Sequence, residues 1–150
     1  MGEGRMFPRR PRLSSDPARL FEMGVRVHGH PGPFLALGVR LGLKARELLG
    51  ARGYFDMEVE VGCPLRTPYS CMIDGVMAAT GCTPGKRNLK ARRSSSPYLR
   101  ARDKEGREVV LRPKDKLWAR LTGGFPMEEA PRLAEEVLQL PEDEVMETIS

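Results

Sequence analysis

The sequence has no long uninterrupted run of apolar residues, and this absence argues against a membrane-spanning helix. Such a helix needs about 18 or more consecutive apolar residues, and no stretch of the 150-residue chain reaches that length. Residues 1–12 carry basic side chains but lack the apolar core of a secretory signal peptide. We therefore expect a cytoplasmic protein with no membrane partner.

Cysteines and aromatic residues are both scarce. The chain has three cysteines, an odd number that argues against a disulfide framework and favours reduced thiols in a cytosolic protein. Aromatic residues make up 6% of the chain, so there are few rings on which nucleic acid bases would stack. The formal net charge of +5 is a small excess that does not by itself indicate a polyanion partner. We expect only weak nucleic acid binding; the alternative is binding through Arg9, Arg10, Arg12 and the Arg92-Arg93 cluster, which would depend on electrostatics alone.

The residues that are present predict one globular domain. Hydrophobic residues make up 40% of the chain and charged residues 30%, a balance typical of a folded domain of this length. Residues 1–15 combine arginines with proline and glycine and predict a flexible basic arm. The predicted domain covers residues 16–150 and opens with a short helix from Pro17 to about Met23, which Gly24 is expected to end.

The clearest predicted helix runs from Pro33 to Leu49. Its apolar residues recur at helical spacing, proline occupies the first position, and Gly50 follows as a stop signal. Gly38 and Gly42 lie four positions apart on this helix, although each costs about 1 kcal/mol of helix propensity relative to alanine. We interpret them as points of close packing against another backbone, and a ligand that approaches through the gap is the alternative.

Alternation of apolar and charged residues predicts a sheet after this helix. Phe55 to Val61 alternates apolar with acidic residues, whereas Leu89 to Arg92 and Leu99 to Arg102 alternate apolar with basic residues. Glu108 to Leu111 predicts the final strand. If these strands are neighbours, opposite charges pair across the sheet and balance much of the basic excess. The residues expected to pair are Lys90, Arg92, Arg100 and Arg102 with Asp56, Glu58 and Glu60.

The fold class predicted from these elements is α+β, a single domain with a mostly antiparallel sheet packed with helices. The antiparallel arrangement depends on turn residues at Ser94 to Pro97 and Asp103 to Gly106, which are typical of hairpins. The C-terminal part of the chain predicts three helices: Pro113 to Leu121, Pro126 to Leu140, which Pro131 is expected to shorten, and a short one from Pro141.

Two histidines lie just before the long helix and are candidate metal ligands. His28 and His30 flank Gly29, and the N-terminus of the following helix disfavours a protonated imidazole. The neutral ring is the form that binds a metal ion. The alternative is that both rings are ordinary polar groups with hydrogen-bond partners.

A second candidate segment begins at Cys71. Ser70 and Gly81 predict the start and end of a helix in which Cys71 occupies the first turn, where the dipole favours a thiolate. Asp74 follows one turn later on the same face. These positions favour Cys71 as a ligand or nucleophile, and the alternative is that the cysteines are small buried apolar residues.

The segment from Gly81 to Lys86 does not fit a phosphate-binding P-loop. It has three residues between its glycines where the P-loop has four, and Arg87 stands where a magnesium-binding Ser or Thr is required. Lys86 in this glycine-containing turn is still a candidate for binding an anionic group.

Together the two segments resemble the family of the E-type subunits of formylmethanofuran dehydrogenase. The resemblance is carried by His-Gly-His, by Cys-x-x-Asp-Gly-Val from Cys71, and by Thr-Gly-Cys-Thr-x-Gly-Lys-x-Asn-Leu from Thr80. It covers roughly Phe21 to Ile149. It implies an α+β domain that is often dimeric, with a metal site formed by the histidine segment and cysteine.

The sequence departs from the fuller family pattern in two ways. Many members have a cysteine shortly after His-Gly-His, whereas this chain has Pro31-Gly32-Pro33, and many carry a C-terminal zinc ribbon that this chain lacks. Both departures argue against a redox role. The predicted ligand set of His28, His30 and Cys71 is unaffected.

The predicted function is that of a cytoplasmic metal-binding protein, accessory to one-carbon or molybdenum or tungsten enzyme metabolism. The expected cofactor is a divalent metal ion, with zinc suited to imidazole and thiolate ligands, and the expected partners are a second copy of the chain and a metabolic enzyme. The alternative is a metal-dependent enzyme acting on a small pterin-like or one-carbon substrate. Asp74 would then be the general base, and Lys86 would hold an anionic group.

The helix from Cys71 also limits which thiols can share a metal. Cys71 and Cys82 are eleven positions apart, or about 16 Å along a helix axis, whereas two sulfur ligands of one zinc ion lie within about 4 Å of each other. We therefore predict Cys71 as the ligand and Cys82 as a reserve ligand that reaches the site of the other protomer in a homodimer. Cys63 is expected to be structural.

Overall fold

The computed structural model describes residues 11–149, which form one sheet packed with helices. This confirms the predicted α+β class. Within these residues, no helix is both long and apolar enough to span a bilayer. In chain order the elements are α1 (Pro17–His28), α2 (Pro33–Leu49), β1 (Met57–Cys63), α3 (Cys71–Thr80), β2 (Leu89–Arg93), β3 (Tyr98–Asp103), β4 (Glu108–Pro113), α4 (Asp115–Thr122), α5 (Ala130–Gln139), α6 (Glu142–Val145) and β5 (Met146–Thr148).

The sheet has the strand order β2-β1-β3-β4-β5 and is antiparallel except at one pair. β1 and β2 run parallel because α3 connects them as a crossover helix. The hairpin predicted at Ser94 to Pro97 is therefore wrong, since this turn leads from β2 to β3 on the other side of β1. The turn at Asp103 to Gly106 does join the antiparallel neighbours β3 and β4, as predicted.

The predicted balance of charge across the sheet is realised only in part. Glu58 lies opposite Arg102 and forms a salt bridge with it at 3.6 Å. Glu60 instead accepts a hydrogen bond from the Tyr98 hydroxyl at 2.5 Å. Lys90 lies opposite Glu60 in the β1–β2 pair, as predicted, but among the described residues neither Lys90 nor Arg92 forms a salt bridge.

The long helix α2 has the predicted bounds and forms the centre of the core. It ends at Gly50, which adopts a left-handed conformation with φ of 63°. A Cβ atom at Gly38 would lie 2.1 Å from the Met72 carbonyl oxygen, and one at Gly42 would lie 2.8 Å from the Ala79 Cβ. These contacts confirm that the two glycines permit close packing of α2 against α3.

The first helix is longer than predicted. Gly24 does not end α1; it is buried where α1 packs against α2 and α3. A Cβ atom at this position would lie 3.3 Å from the Ala78 side chain and 3.4 Å from the Leu35 side chain, so glycine permits this close packing. The helix continues to His28 and ends at Gly29, which has a φ of 93° and donates its N–H to the Val25 carbonyl. His28 is consequently a helix residue, not a loop residue.

The predicted basic arm lies mostly outside the described residues, which begin at residue 11. Within the described part, Leu13 is 6% exposed. The Arg46 guanidinium donates to the backbone carbonyls of Leu13, Ser14 and Ala79. The packing of the domain therefore begins before residue 16.

The C-terminal elements follow the predicted helices with two differences. The segment after Pro126 starts as a 3-10 turn over Met127–Glu129, and α5 begins at Ala130, because Pro131 has no N–H to continue an earlier helix. The short helix after Pro141 leads directly into β5, a strand that the sequence analysis did not predict.

Candidate functional site

Three helix ends meet at one cleft. The C-terminal end of α1 and the N-terminal ends of α2 and α3 all line it, and its volume is about 490 Å³. Gly38 and Gly75 face each other at the α2–α3 contact, where a Cβ atom at Gly75 would lie 2.1 Å from the Leu35 carbonyl oxygen. This close packing of the helices brings His28, His30 and Cys71 to the same cleft.

His28 is held by Asp74. The Nδ1 atom of His28 lies 2.6 Å from the Oδ2 atom of Asp74, and the His28 side chain is 15% exposed. An ionised carboxylate can only accept a hydrogen bond, so Nδ1 carries the proton and donates it. In the neutral imidazole the lone pair then resides on Nε2, the nitrogen that binds a metal in such carboxylate–histidine pairs.

The electrostatic surroundings of His28 differ from those expected of a loop residue. His28 lies in the last turn of α1, where the negative end of the helix dipole favours positive charge. The Asp74 carboxylate adds a full negative charge on the other side. His28 therefore lies at the negative end of α1 and beside the Asp74 carboxylate, as well as before the N-terminal end of α2.

His30 reaches the cleft because the chain turns at Gly29. The left-handed conformation of Gly29 ends α1, and the imidazole of His30 then lies over Gly32. A Cβ atom at Gly32 would come within 3.3 Å of the His30 Nδ1 atom. The glycine thus leaves room for the ring just before α2 begins.

Cys71 lines the cleft but is not the activated thiolate that its position predicts. It is half-buried in the first turn of α3. Burial raises the pKa of the Cys71 thiol, and the negative charge of Asp74 raises it further. The expected lowering by the helix N-terminus is outweighed by these two effects.

The other two cysteines lie in the core. Cys82 has no exposed surface, its Sγ atom donates to the Met57 carbonyl at 3.5 Å, and burial raises its pKa. The structure does not bring Cys82 to the cleft, and a side chain buried in this way has no path to a second protomer. Burial also raises the pKa of Cys63, to about 11.

Lys86 is engaged within its own turn. Its ammonium donates to the Gly81 carbonyl and to the Thr83 hydroxyl, and the ring of Phe55 lies 5.4 Å from it. The Asn88 side chain also holds this turn, since it accepts from the Thr83 N–H and donates to the Tyr54 carbonyl. Lys86 therefore has a structural role here and does not line the cleft.

The apolar wall of the cleft was missed by the sequence analysis. Phe34 and Tyr69 pack edge to face with ring centroids 5.5 Å apart, and Trp118 packs against both, 5.5 Å from Phe34 and 6.3 Å from Tyr69. Phe125, beyond the end of α4, contributes a further ring. These aromatic residues come from distant parts of the chain, and no local pattern links them to the histidines.

The chemical types of the His28, His30 and Cys71 side chains suit a borderline-soft metal ion, but their donor atoms do not converge on a single coordination point. Two imidazoles and a thiol are the ligands that zinc prefers. Within residues 11–149, however, no three His, Cys, Asp or Glu side chains stand close enough together to hold an ion. Coordination by His28, His30 and Cys71 therefore requires rotation of at least one side chain.

Comparison with known proteins identifies the family. The family model described as FmdE, molybdenum formylmethanofuran dehydrogenase operon, matches residues 27–148. The chain belongs to this family. The match contains His28, His30, Cys71 and Asp74, so the resemblance predicted from the two motifs is confirmed.

A solved structure shares the FmdE fold. The crystal structure of a tungsten formylmethanofuran dehydrogenase FmdE-like protein from Syntrophus aciditrophicus superposes with a TM-score of 0.63 at 21% identity, and the alignment covers 96% of this chain and 77% of that chain. A curated relative from Archaeoglobus fulgidus, named "Probable S-adenosyl-L-methionine-binding protein", is 40% identical over 74 residues. The match covers 47% of this chain and spans 20% of that relative's length.

Proposed function

We propose that this FmdE family member binds a divalent metal ion, with zinc as the best-suited ion, in the cleft between α1, α2 and α3. The ligands are His28 through Nε2, His30 and Cys71. The observation that carries the proposal is the hydrogen bond from His28 Nδ1 to Asp74 at the edge of a cleft that His30 and Cys71 also line. A carboxylate in this position orients a histidine ligand and increases its basicity.

Two negatively charged groups beside His28 support a cation at this ring, although the positive N-terminal ends of α2 and α3 line the same cleft. The C-terminal end of α1 and the Asp74 carboxylate both attract positive charge to His28. A metal ion beside Cys71 would also favour its thiolate and so offset the burial that raises the pKa of this thiol. Asp74 acts in this proposal as a positioning residue for His28.

The apolar wall of the cleft favours a second candidate function, that of a metal-dependent enzyme acting on a small pterin-like or one-carbon substrate. Three protein ligands leave one coordination position open, where a metal ion supplies Lewis-acid chemistry. Tyr69 and Phe125 are partly exposed and line the cleft, where a planar ligand would contact them, whereas Phe34 is buried behind them. The name of the Archaeoglobus fulgidus relative adds S-adenosylmethionine to the ligands worth testing.

An accessory role in cytoplasmic one-carbon or molybdenum or tungsten enzyme metabolism is part of the proposal and is supported by the family relationship. The homodimer and a metabolic enzyme partner stay predictions. Trp118 is the single tryptophan of the chain and packs against Phe34 and Tyr69, which line the cleft, so its fluorescence reports on these two rings. Saturable quenching by S-adenosylmethionine or a tetrahydropterin, lost in Tyr69→Ala, would support the second candidate, and unchanged fluorescence would contradict it.

Elemental analysis of protein purified without added metal tests the leading proposal. We expect close to one zinc ion per chain in the wild type and a loss of most of that metal in His28→Ala and in Cys71→Ser. Cys82→Ser is the matched control, since Cys82 is a buried thiol that contacts the Met57 carbonyl away from the cleft, and this variant should keep the metal. Metal that persists in both cleft variants, or that is lost only in Cys82→Ser, would overturn the proposed site.

A further inference from the structure

The edge strand β2 presents a basic surface. Four of the five residues of β2 are exposed, and Arg87 shortly before the strand is exposed as well. Within residues 11–149, none of the basic side chains of this edge takes part in a salt bridge, whereas Arg100 and Arg102 on β3 are both paired with glutamates. We call this surface the basic edge; it comprises Arg87, Lys90, Arg92 and Arg93.

The backbone of the basic edge is also open on its outer side. Val59 donates its N–H to the Asn88 carbonyl, and Ser94 donates its N–H to the Cys63 carbonyl. In a parallel pair the bonding groups alternate along each strand. The N–H and C=O groups of Lys90 and Arg92 therefore point towards β1, and those of Leu89, Ala91 and Arg93 point away from the sheet.

No described element covers these outward groups, since β2 pairs with β1 alone among the strands of residues 11–149. We propose that the basic edge binds an extended acidic segment of a partner protein, which adds to the sheet as a sixth strand. The main chain of that segment would bond to Leu89, Ala91 and Arg93, and its Glu or Asp side chains would face the cations of the edge. This proposal is independent of the metal site.

The positive charge of the basic edge favours an acidic partner over a second copy of this chain. Two β2 strands placed side by side would set Lys90, Arg92 and Arg93 against their own copies, and like charges across a strand pair are destabilising. Basic residues on an edge strand oppose self-association for the same reason. A nucleic acid would satisfy the cations but not the outward row of backbone groups, whereas an acidic strand satisfies both.

The test uses a fluorescein-labelled ten-residue peptide of alternating glutamate and valine, with fluorescence anisotropy as the readout. Two further peptides carry N-methyl groups on all valines or on all glutamates. Only one set of amides in an added strand faces β2, so we expect one N-methylated peptide to bind at least about tenfold more weakly and the other to bind like the parent. Equal binding of all three, or tighter binding of a ten-nucleotide uridine RNA, would show that charge alone attracts the ligand and would overturn the proposal.

Two variants of the full chain test the same point from the protein side. Ala91→Pro removes an outward N–H without removing a bond to β1, and proline is tolerated on edge strands. We expect Ala91→Pro and Arg92→Glu each to weaken binding of the parent peptide at least about tenfold. Lys116→Glu, a charge reversal on the exposed surface of α4, is the control and should change binding less than about twofold. Unchanged binding by Ala91→Pro with an unchanged melting temperature contradicts strand addition.

Discussion

The imidazole of His28 and the carboxylate of Asp74 join the two sequence motifs of this protein by a 2.6 Å contact. One residue ends α1 and the other lies in the first turn of α3, so the contact depends on how closely these helices pack against α2. In the proposed metal site this contact makes Asp74 a positioning residue for His28, whereas the sequence alone suggested a general base.

We predict that Asp74→Asn weakens zinc binding by about 10- to 100-fold, the range typical for loss of a carboxylate that orients a histidine ligand. Asparagine keeps the size of the side chain but removes the negative charge. The measurement is a competition titration against a chromophoric zinc indicator. Asp115→Asn is the matched control, because Asp115 also lies in the first turn of a helix but away from the cleft. Equal affinities for both variants would contradict the role assigned to Asp74.

The metal-free protein should react slowly with thiol reagents. Burial and Asp74 raise the pKa of Cys71, so at about pH 8 less of it is thiolate than in a free cysteine, and its alkylation rate should keep rising above that pH. Removing the charge in Asp74→Asn lowers the pKa of Cys71, and we expect alkylation by iodoacetamide to accelerate about threefold at the same pH. Peptide mass spectrometry identifies the site. Faster labelling of Cys63 or Cys82 than of Cys71 in the folded protein would contradict the burial described above.

The close contact between α2 and α3 at Gly38 should make the free energy of unfolding sensitive to any added side-chain atom at this position. In Gly38→Ala the new methyl group would lie 2.1 Å from the Met72 carbonyl oxygen, so the helices must separate. We expect the free energy of unfolding, measured with urea, to fall by about 3 kcal/mol. Gly85→Ala is the control, because its nearest contact would be the Thr83 hydroxyl at 3.9 Å, and it should change stability by less than about 0.5 kcal/mol.

Local patterns in the sequence predicted most of the fold. Pro33 and Gly50 mark the observed limits of α2, and alternation marks β1 and β3. The parallel pairing of β2 was missed, although a helix between two strands is the usual signal for it. The predicted end of α1 at Gly24 was wrong because a glycine can either end a helix or permit close packing. The contacts with Ala78 and Leu35, which identify close packing, exist only in the folded protein.

The candidate site was less predictable than the fold because its parts are distant in sequence. The motifs identified His28, His30 and Cys71, which line one cleft. The raised pKa of Cys71 depends on burial in the folded protein. Its position in the first turn of a helix predicts a lowered pKa and says nothing about burial. Cys82 belongs to one of the motifs that carry the family resemblance, but its side chain packs in the hydrophobic core.

Substitution of cobalt(II) for zinc reports on the thiolate ligand of the proposed site, because a thiolate bound to cobalt gives a charge-transfer absorption band that imidazole ligands do not. We expect this band to appear with one equivalent of cobalt in the wild type and in Cys82→Ser, and to be absent in Cys71→Ser. A band of full intensity in Cys71→Ser, or no band in the wild type at saturating cobalt, would contradict a metal site built from His28, His30 and Cys71.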